Sequence, residues 1–206
     1  MGETVLPERI ASPTGFALDL AGFLRALPSI PANNGPPAGP RNFHRGGDLA
    51  CYDAQFREDV EVLSHRLKAA AVSEVWAMAL SSHWGHAPGR VHGGMAVGNL
   101  PVESGKLGGV IDLGATCVGD PACDLVPAWT FLGVEGCRTL RDALPLDRAT
   151  WERGRGWVLW KALIVAAGLA ETNAWEGGQA WSTIASVLAD HAEPRGYGAR
   201  AAEGSK

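Results

Sequence analysis

Apolar residues recur at three- and four-residue spacing along most of this chain, and alternate with polar ones only near its middle. Phe16, Leu20, Phe23, Leu24 and Leu27 form the first stripe, behind Ser12-Pro13, an N-cap followed by proline at the first helical position. Pro28 ends that helix. A second helix is predicted from about Asp53 to Ala71, with Phe56, Val60, Leu63 and Leu67 on one face and Arg57, Glu58, Glu61 and Lys68 off it. Ser73 is expected to cap a short third helix carrying Val75, Trp76, Ala79 and Leu80. Asp120-Pro121 repeats the N-cap and first-turn proline signal and opens a helix through Leu125, Trp129 and Leu132, which Pro127 should kink. A short helix over 135–143 follows. Asp147 caps a longer one through Trp151, Trp157, Leu159, Trp160, Leu163 and Ile164, and a last helix covers about Trp175 to His191.

In the middle, Asn99–Glu103 and Lys106–Leu113 read as two strands joined by Ser104-Gly105, with Pro101 marking an edge. The fold class is therefore α+β, mainly α, with one small β-hairpin. Residues 28–47 hold five of the thirteen prolines and four glycines, so they are a Pro/Gly-rich excursion or linker between helices. Phe43 and His44 sit near its end, where docking on a cleft and simple anchoring are both open. The organisation expected is one helical lobe over 1–192 and a disordered tail over 193–206, rich in Gly, Ala and charge. The tryptophans at 151, 157 and 160 could line a pocket, but their spacing fits helix packing and a place in the core.

Composition changes this picture little. The 206 residues suffice for one sizeable core, and a net charge of −4 gives no general attraction to nucleic acid. Glu3 and Glu8 stand where a signal peptide would need a basic start and an apolar centre. The most apolar window, Trp157 to Ala170, is too short for a bilayer and contains Lys161. The expectation is a cytoplasmic chain with no membrane partner. Cys51, Cys117, Cys123 and Cys137 show no zinc spacing and are expected to be buried free thiols.

The chemistry concentrates in residues 91–125. His92, Asn99 and Asp112 follow the spacing by which protein kinases place a catalytic loop and its magnesium ligands, with Gly94 where the proton-accepting Asp would stand. A hairpin brings the start of its first strand to the end of its second, so Asn99 and Asp112 can meet at one ion. Each also fits a simpler role in a turn. Magnesium takes one or two protein oxygens when water and phosphate supply the rest.

Three ordered motifs carry a resemblance. Val91-His-Gly-Gly-Met-Ala-Val-Gly-Asn-Leu100 is similar to a V-H-G-D-[LM]-H-x-G-N-L loop, Val110-Ile-Asp-Leu-Gly114 to V-I-D-F-G, and Gly119-Asp-Pro-Ala-Cys-Asp-Leu125 to G-D-P-x-x-D-L. Phe23-Leu-Arg-Ala-Leu27, Arg45-Gly-Gly-Asp-Leu49 and Arg153-Gly-Arg-Gly-Trp-Val-Leu-Trp-Lys-Ala-Leu163 extend the likeness over most of residues 10–190. Together they resemble the aminoglycoside phosphotransferase family, the antibiotic and choline kinase-like enzymes.

The resemblance implies a protein-kinase-like carboxy-terminal lobe with His92 as a structural histidine and Asn99 and Asp112 as magnesium ligands. It makes Asp124 a buried acceptor for the loop backbone and leaves Asp120 as a helix cap. It also implies Mg2+ and ATP as cofactors and an aminoglycoside-like small molecule as substrate. The departures point the other way. Gly94 replaces the catalytic Asp, Ala96 a common His, Leu113 a Phe, and Ala115 stands where an acid is frequent. The amino-terminal nucleotide-clamping lobe is read as absent: no Gly-rich loop in a strand context precedes residue 91, and Lys68, the only lysine before it, falls on a helix. Two functions follow: a catalytically impaired or inactive phosphotransferase-like protein, or an active ATP-dependent phosphotransferase completed by a missing lobe or partner. The uncovered cleft face would favour self-association.

Overall fold

Ser12 accepts a hydrogen bond from the Gly15 amide at 3.1 Å, and Pro13 supplies a helical φ with no amide to satisfy, so α1 (Pro13–Ala26) starts where the sequence places it. The computed structural model describes residues 3–4, 7–170, 172 and 174–193; the expected disordered tail lies, apart from Glu193, outside them. The remaining helices are α2 (Asp53–Val62), α3 (Ala69–Leu80), α4 (Pro127–Thr130), α5 (Gly133–Ala143), α6 (Arg148–Ala166) and α7 (Ala174–Ala192). The predicted second helix ends early and the third starts early. The second stops after Val62, where Leu63 leaves helical geometry, and α3 begins at Ala69 with Ser73 inside it rather than at its cap. Pro127 splits the next predicted helix into a 3-10 turn, Pro121–Leu125, and α4.

The lobe is built around α6. Asp147 caps it by accepting from the Thr150 amide at 2.7 Å and the Thr150 hydroxyl at 2.6 Å. From Thr150 to Trp160 every residue of α6 is buried, on α3, α7, α2 and the Pro121–Leu125 turn. Such a helix must either be apolar all round or have its charges paired, and α6 does the second. Arg153 pairs with Asp120, Arg155 with Asp190 at 2.9 Å, and Glu152 with Arg148 at 2.7 Å. Gly156 permits the close packing, because a Cβ there would lie 2.4 Å from Leu49 Cδ2 and 2.6 Å from Ala79 Cβ. Trp151, Trp157 and Trp160 are core residues, as their spacing suggests.

The strands are β1 (Glu3–Thr4), β2 (Gly89–Val91), β3 (Pro101–Glu103), β4 (Lys106–Leu107) and β5 (Cys117–Gly119). The predicted hairpin is β3–β4, shorter than expected, with Ser104 and Gly105 both at positive φ in its turn. Asn99 belongs to a 3-10 turn and residues 108–112 to no strand. Two pairings are additional: β1 runs antiparallel on β3, so Pro101 does not mark a free edge, and β2 pairs antiparallel with β5. The excursion over 28–47 is sewn to β5. Val118 N donates to Pro36 O at 2.9 Å, Asp120 N donates to Gly46 O at 2.8 Å, and the Cys117 thiol donates to Arg45 O at 2.9 Å. Phe43 is exposed and docks on nothing, while His44 meets Tyr52 edge to face. All four cysteines are free; Cys117, Cys123 and Cys137 are buried, but Cys51 is exposed, contrary to expectation.

Asp59 of α2 is buried with neither carboxylate oxygen hydrogen-bonded. Burial and the neighbouring Glu58 push its carboxyl up to about 6. A carboxyl raised above its ordinary value of 3.8 favours the neutral form, so stability is complete at low pH and falls as pH rises through about 6. Asp59→Asn should therefore unfold at higher denaturant than the wild type at pH 8, by about 1–2 kcal/mol after screening by water, with the gap closing near pH 4. Urea melts at the two pH values check it.

Candidate active site

β2 delivers the chain into a loop, residues 92–100, whose conformation one buried carboxylate dictates. Asp124 lies in the Pro121–Leu125 turn, and its two oxygens accept from the amides of His92 and Gly93, each at 2.7 Å. Burial pushes the Asp124 carboxyl upward, opposed by those two amides, by His92 and by Arg45. His92 is fully buried. Its Nδ1 accepts from the Gly94 amide at 3.1 Å, which leaves Nε2 as the protonated nitrogen, donating to Ile111 O at 3.0 Å. Both ring nitrogens are therefore committed to backbone.

Asn99 closes the loop: its Nδ2 donates to Gly94 O at 2.8 Å, and its own carbonyl accepts from Ile111 N at 2.9 Å. That second bond, rather than long hairpin strands, brings the segment bearing Asp112 beside Asn99. Asp112 is exposed at a φ of 62°, and its Oδ1 caps the Leu113–Ala115 turn by accepting from Gly114 N at 3.2 Å. Ile111 and Leu113 flank it, 52% and 62% exposed.

Asp120 caps the Pro121–Leu125 turn through the Ala122 amide at 3.0 Å. It also forms a buried ion pair with Arg153, at 2.6 Å to Nε and 3.3 Å to Nη2, and Arg153 in turn reaches Thr150 and Ser82. Sequence reasoning gave Asp120 the cap alone. The signal for the pair was Arg153 itself, a charge set between Trp151 and Trp157 on a helix read as core.

The structure thus brings His92, Gly94, Asn99, Asp112 and Asp124 into one loop system. Two cations went unassigned from the sequence, Arg45 and Lys161. They line a half-open cleft beside Gly93 and Gly94, floored by α6 and α7, with a cavity volume of about 110 Å³.

A helical lobe with a histidine-anchored loop and an Asn–Asp pair at its rim defines a kinase-like phosphotransferase scaffold. The chain belongs to the phosphotransferase enzyme family, whose model matches residues 2–157. No curated protein matches it by sequence. Among solved structures it is similar to the GDP complex of aminoglycoside 2′-phosphotransferase-IIIa, with 14% identity, a TM-score of 0.57, and 93% of this chain and 69% of that one covered. The streptomycin–ATP ternary complex of APH(2″)-IIa gives 17% identity, a TM-score of 0.52, and coverages of 92% and 68%. Macrolide 2′-phosphotransferase type I gives 19% identity, a TM-score of 0.50, and coverages of 88% and 60%. At these identities the likeness is one of fold, and the chain spans roughly two thirds of those proteins' lengths.

Adjacent glycines in the loop should respond oppositely to substitution. Gly93 has a φ of 76°, and a Cβ there would lie 2.5 Å from Ala115 O, whereas one at Gly94 meets Asn99 Nδ2 and His92 Cε1 at 3.4 and 3.6 Å, ordinary contact. Gly93→Ala should cost about 2 kcal/mol or more and Gly94→Ala less than about 1 kcal/mol, read by chemical denaturation. Asp124→Ala, which orphans two buried amides, should cost about 2–4 kcal/mol in the same measurement.

Proposed function

We propose that this chain is a phosphotransferase-family lobe whose catalytic step is lost or strongly impaired. Gly94 is the observation that carries this reading. The loop around it is braced by hydrogen bonds from Gly94 N to His92 and from Asn99 to Gly94 O, yet the position from which a carboxylate would take the substrate proton has no side chain. His92 offers no replacement, because both ring nitrogens already bond backbone groups.

Asn99 and Asp112 are the residues that would hold magnesium. They fit that ion in kind: the Asn99 amide nitrogen is tied to Gly94 O while its side-chain oxygen has no partner among the described residues, and the exposed Asp112 carboxylate follows Ile111, whose amide binds the Asn99 backbone carbonyl. Among the described residues no group of three or more His, Cys, Asp or Glu could hold a metal, so phosphate and water oxygens would supply the rest of the shell. When bound, the ion would neutralise charge on transferred phosphate. A second reading, an active ATP-dependent phosphotransferase of an aminoglycoside or other small hydroxylated molecule, is favoured by the retention of this pair. Positioning and electrostatics dominate phosphoryl transfer, so a residual rate without the base is chemically reasonable.

The exposed Ile111 and Leu113 are the face through which two copies would associate. Replacing both by Ser should lower the sedimentation coefficient of the protein at micromolar concentration; an unchanged monomeric value in both proteins removes self-association from the reading. No helix among the described residues is long and apolar enough to cross a membrane.

Purified protein with Mg-ATP should transfer no phosphate to aminoglycosides above a blank, by radiometric assay; measurable turnover sinks the proposal and favours the second reading. Gly94→Asp, which the loop has room for, should restore transfer only when a family amino-terminal lobe is also supplied by fusion.

A further inference from the structure

Arg45 ends the Pro/Gly-rich excursion with its guanidinium directed onto the faces of Trp157 and Trp160, 5.0 and 5.1 Å from their ring centroids. Its Cβ packs beside the loop, 3.1 Å from where a Cβ on Gly93 would stand. Among the described residues the guanidinium makes no ion pair and no hydrogen bond. That is unlike the buried arginines of α6, since Arg153 and Arg155 are matched by Asp120 and Asp190. Burial pulls Arg45 below its ordinary value, with Cys123, Tyr52 and Asp124 opposing, so the charge stands in a poorly solvated place. Two aromatic faces offset part of that cost but satisfy none of the five N–H donors.

Lys161 lies three residues beyond Val158 in the same cleft wall and is half-buried, likewise without an ion pair among the described residues. Burial lowers it first, and Arg45 is near enough to lower it further, while Glu176 opposes. Among the described residues Glu176 is the one acid lining the cleft, and it already accepts a hydrogen bond from the Thr172 hydroxyl. The rest of the lining is apolar or neutral, including Met95, Val126, Val158 and Trp175.

Two cations facing one committed acid, in an otherwise apolar cleft next to Gly94, make a poor receptor for a polycation. We infer that this cleft binds a small organic anion, an apolar body bearing a carboxylate or phosphate oxyanion, with Arg45 and Lys161 holding the oxyanion. The inference rests on the proposed phosphotransferase-family reading of the loop that borders this cleft at Gly94, and it assigns the cleft a ligand class. An oxyanion between the two groups supplies the acceptors that Arg45 lacks, and water exclusion by the apolar wall strengthens both contacts. The guanidinium is pre-oriented by the two indoles, so little ordering is needed when the ligand arrives.

The test needs neither nucleotide nor magnesium, so its outcome is separate from that of the turnover assay. Binding of 4-phenylbutyrate, phenyl phosphate, 4-phenylbutanol and 4-phenylbutylamine is measured by calorimetry or ligand-observed NMR on the full chain. Both anions are expected to bind about ten-fold or more tightly than the alcohol and the amine, and more weakly as salt is raised. The tighter of the two anions identifies the head group. Lys161→Gln and Arg45→Gln should each weaken anion binding about ten-fold while leaving the alcohol unchanged, with Arg45→Lys intermediate. Lys161 is half-buried at the cleft wall, so its variant keeps the test valid if Arg45→Gln fails to fold. An amine that binds as tightly as the anions, no binding by any probe, or anion binding indifferent to Lys161→Gln overturns the inference.

Discussion

The loop at the head of this lobe exists in its observed form because a buried carboxylate draws its two short hydrogen bonds from loop backbone. A charge in the position of Asp124 is costly to desolvate and is tolerated only when its lone pairs are met. The amides of His92 and Gly93 meet them at 2.7 Å. That pins the first two loop residues, fixes Gly93 in a conformation only glycine adopts freely, and leaves the His92 ring pointing where it can brace Gly94 and Ile111. Everything at the rim is downstream of this: Asn99 closes on Gly94, and Asp112 is held next to Asn99 through Ile111. None of these bonds needs a side chain at residue 94. The loop therefore holds its form with glycine at that position.

A second buried pair carries the turn bearing Asp124 to the centre of the fold. Asp120 binds Arg153 of α6, caps the turn, and receives its own backbone anchor from Gly46. α6 is thereby both the core helix and the rod on which the site is hung. Its apolar faces settle against α3 and α7, and its paired charges fix the register.

Much of the helical frame was legible in the sequence, because caps and prolines act locally. Ser12-Pro13, Asp120-Pro121 and Asp147 each start an element through bonds to residues within three positions, so reading them requires no knowledge of the fold. The break between α2 and α3 was read but placed too late, near residue 72: Leu63 and Leu67 keep helical spacing across it, and tertiary packing decides where the backbone turns. Nor were β2 and β5, three residues each without alternation, whose pairing depends on contacts with residues far away in sequence. Within the site, the backbone-braced loop was foreshadowed by its motifs. Arg45 was not, since a charge in a Pro/Gly-rich stretch looks solvated until the indoles beneath it are placed.

The stitching of the excursion to β5 has a practical side. A Cβ on Gly119 would lie 2.1 Å from Gly46 O, so the two backbones touch with no room between them, and Gly35 is similarly close to Val118. What looks like spacer is an extra layer of the molecule from Gly35 onward. Only the bend just before it, with Asn33 and Asn34 exposed and Asn34 at a φ of 60°, lies clear of these contacts. That bend is where a tag, a fluorophore or a grafted peptide can be displayed without disturbing the seam on which Arg45 and Asp120 depend.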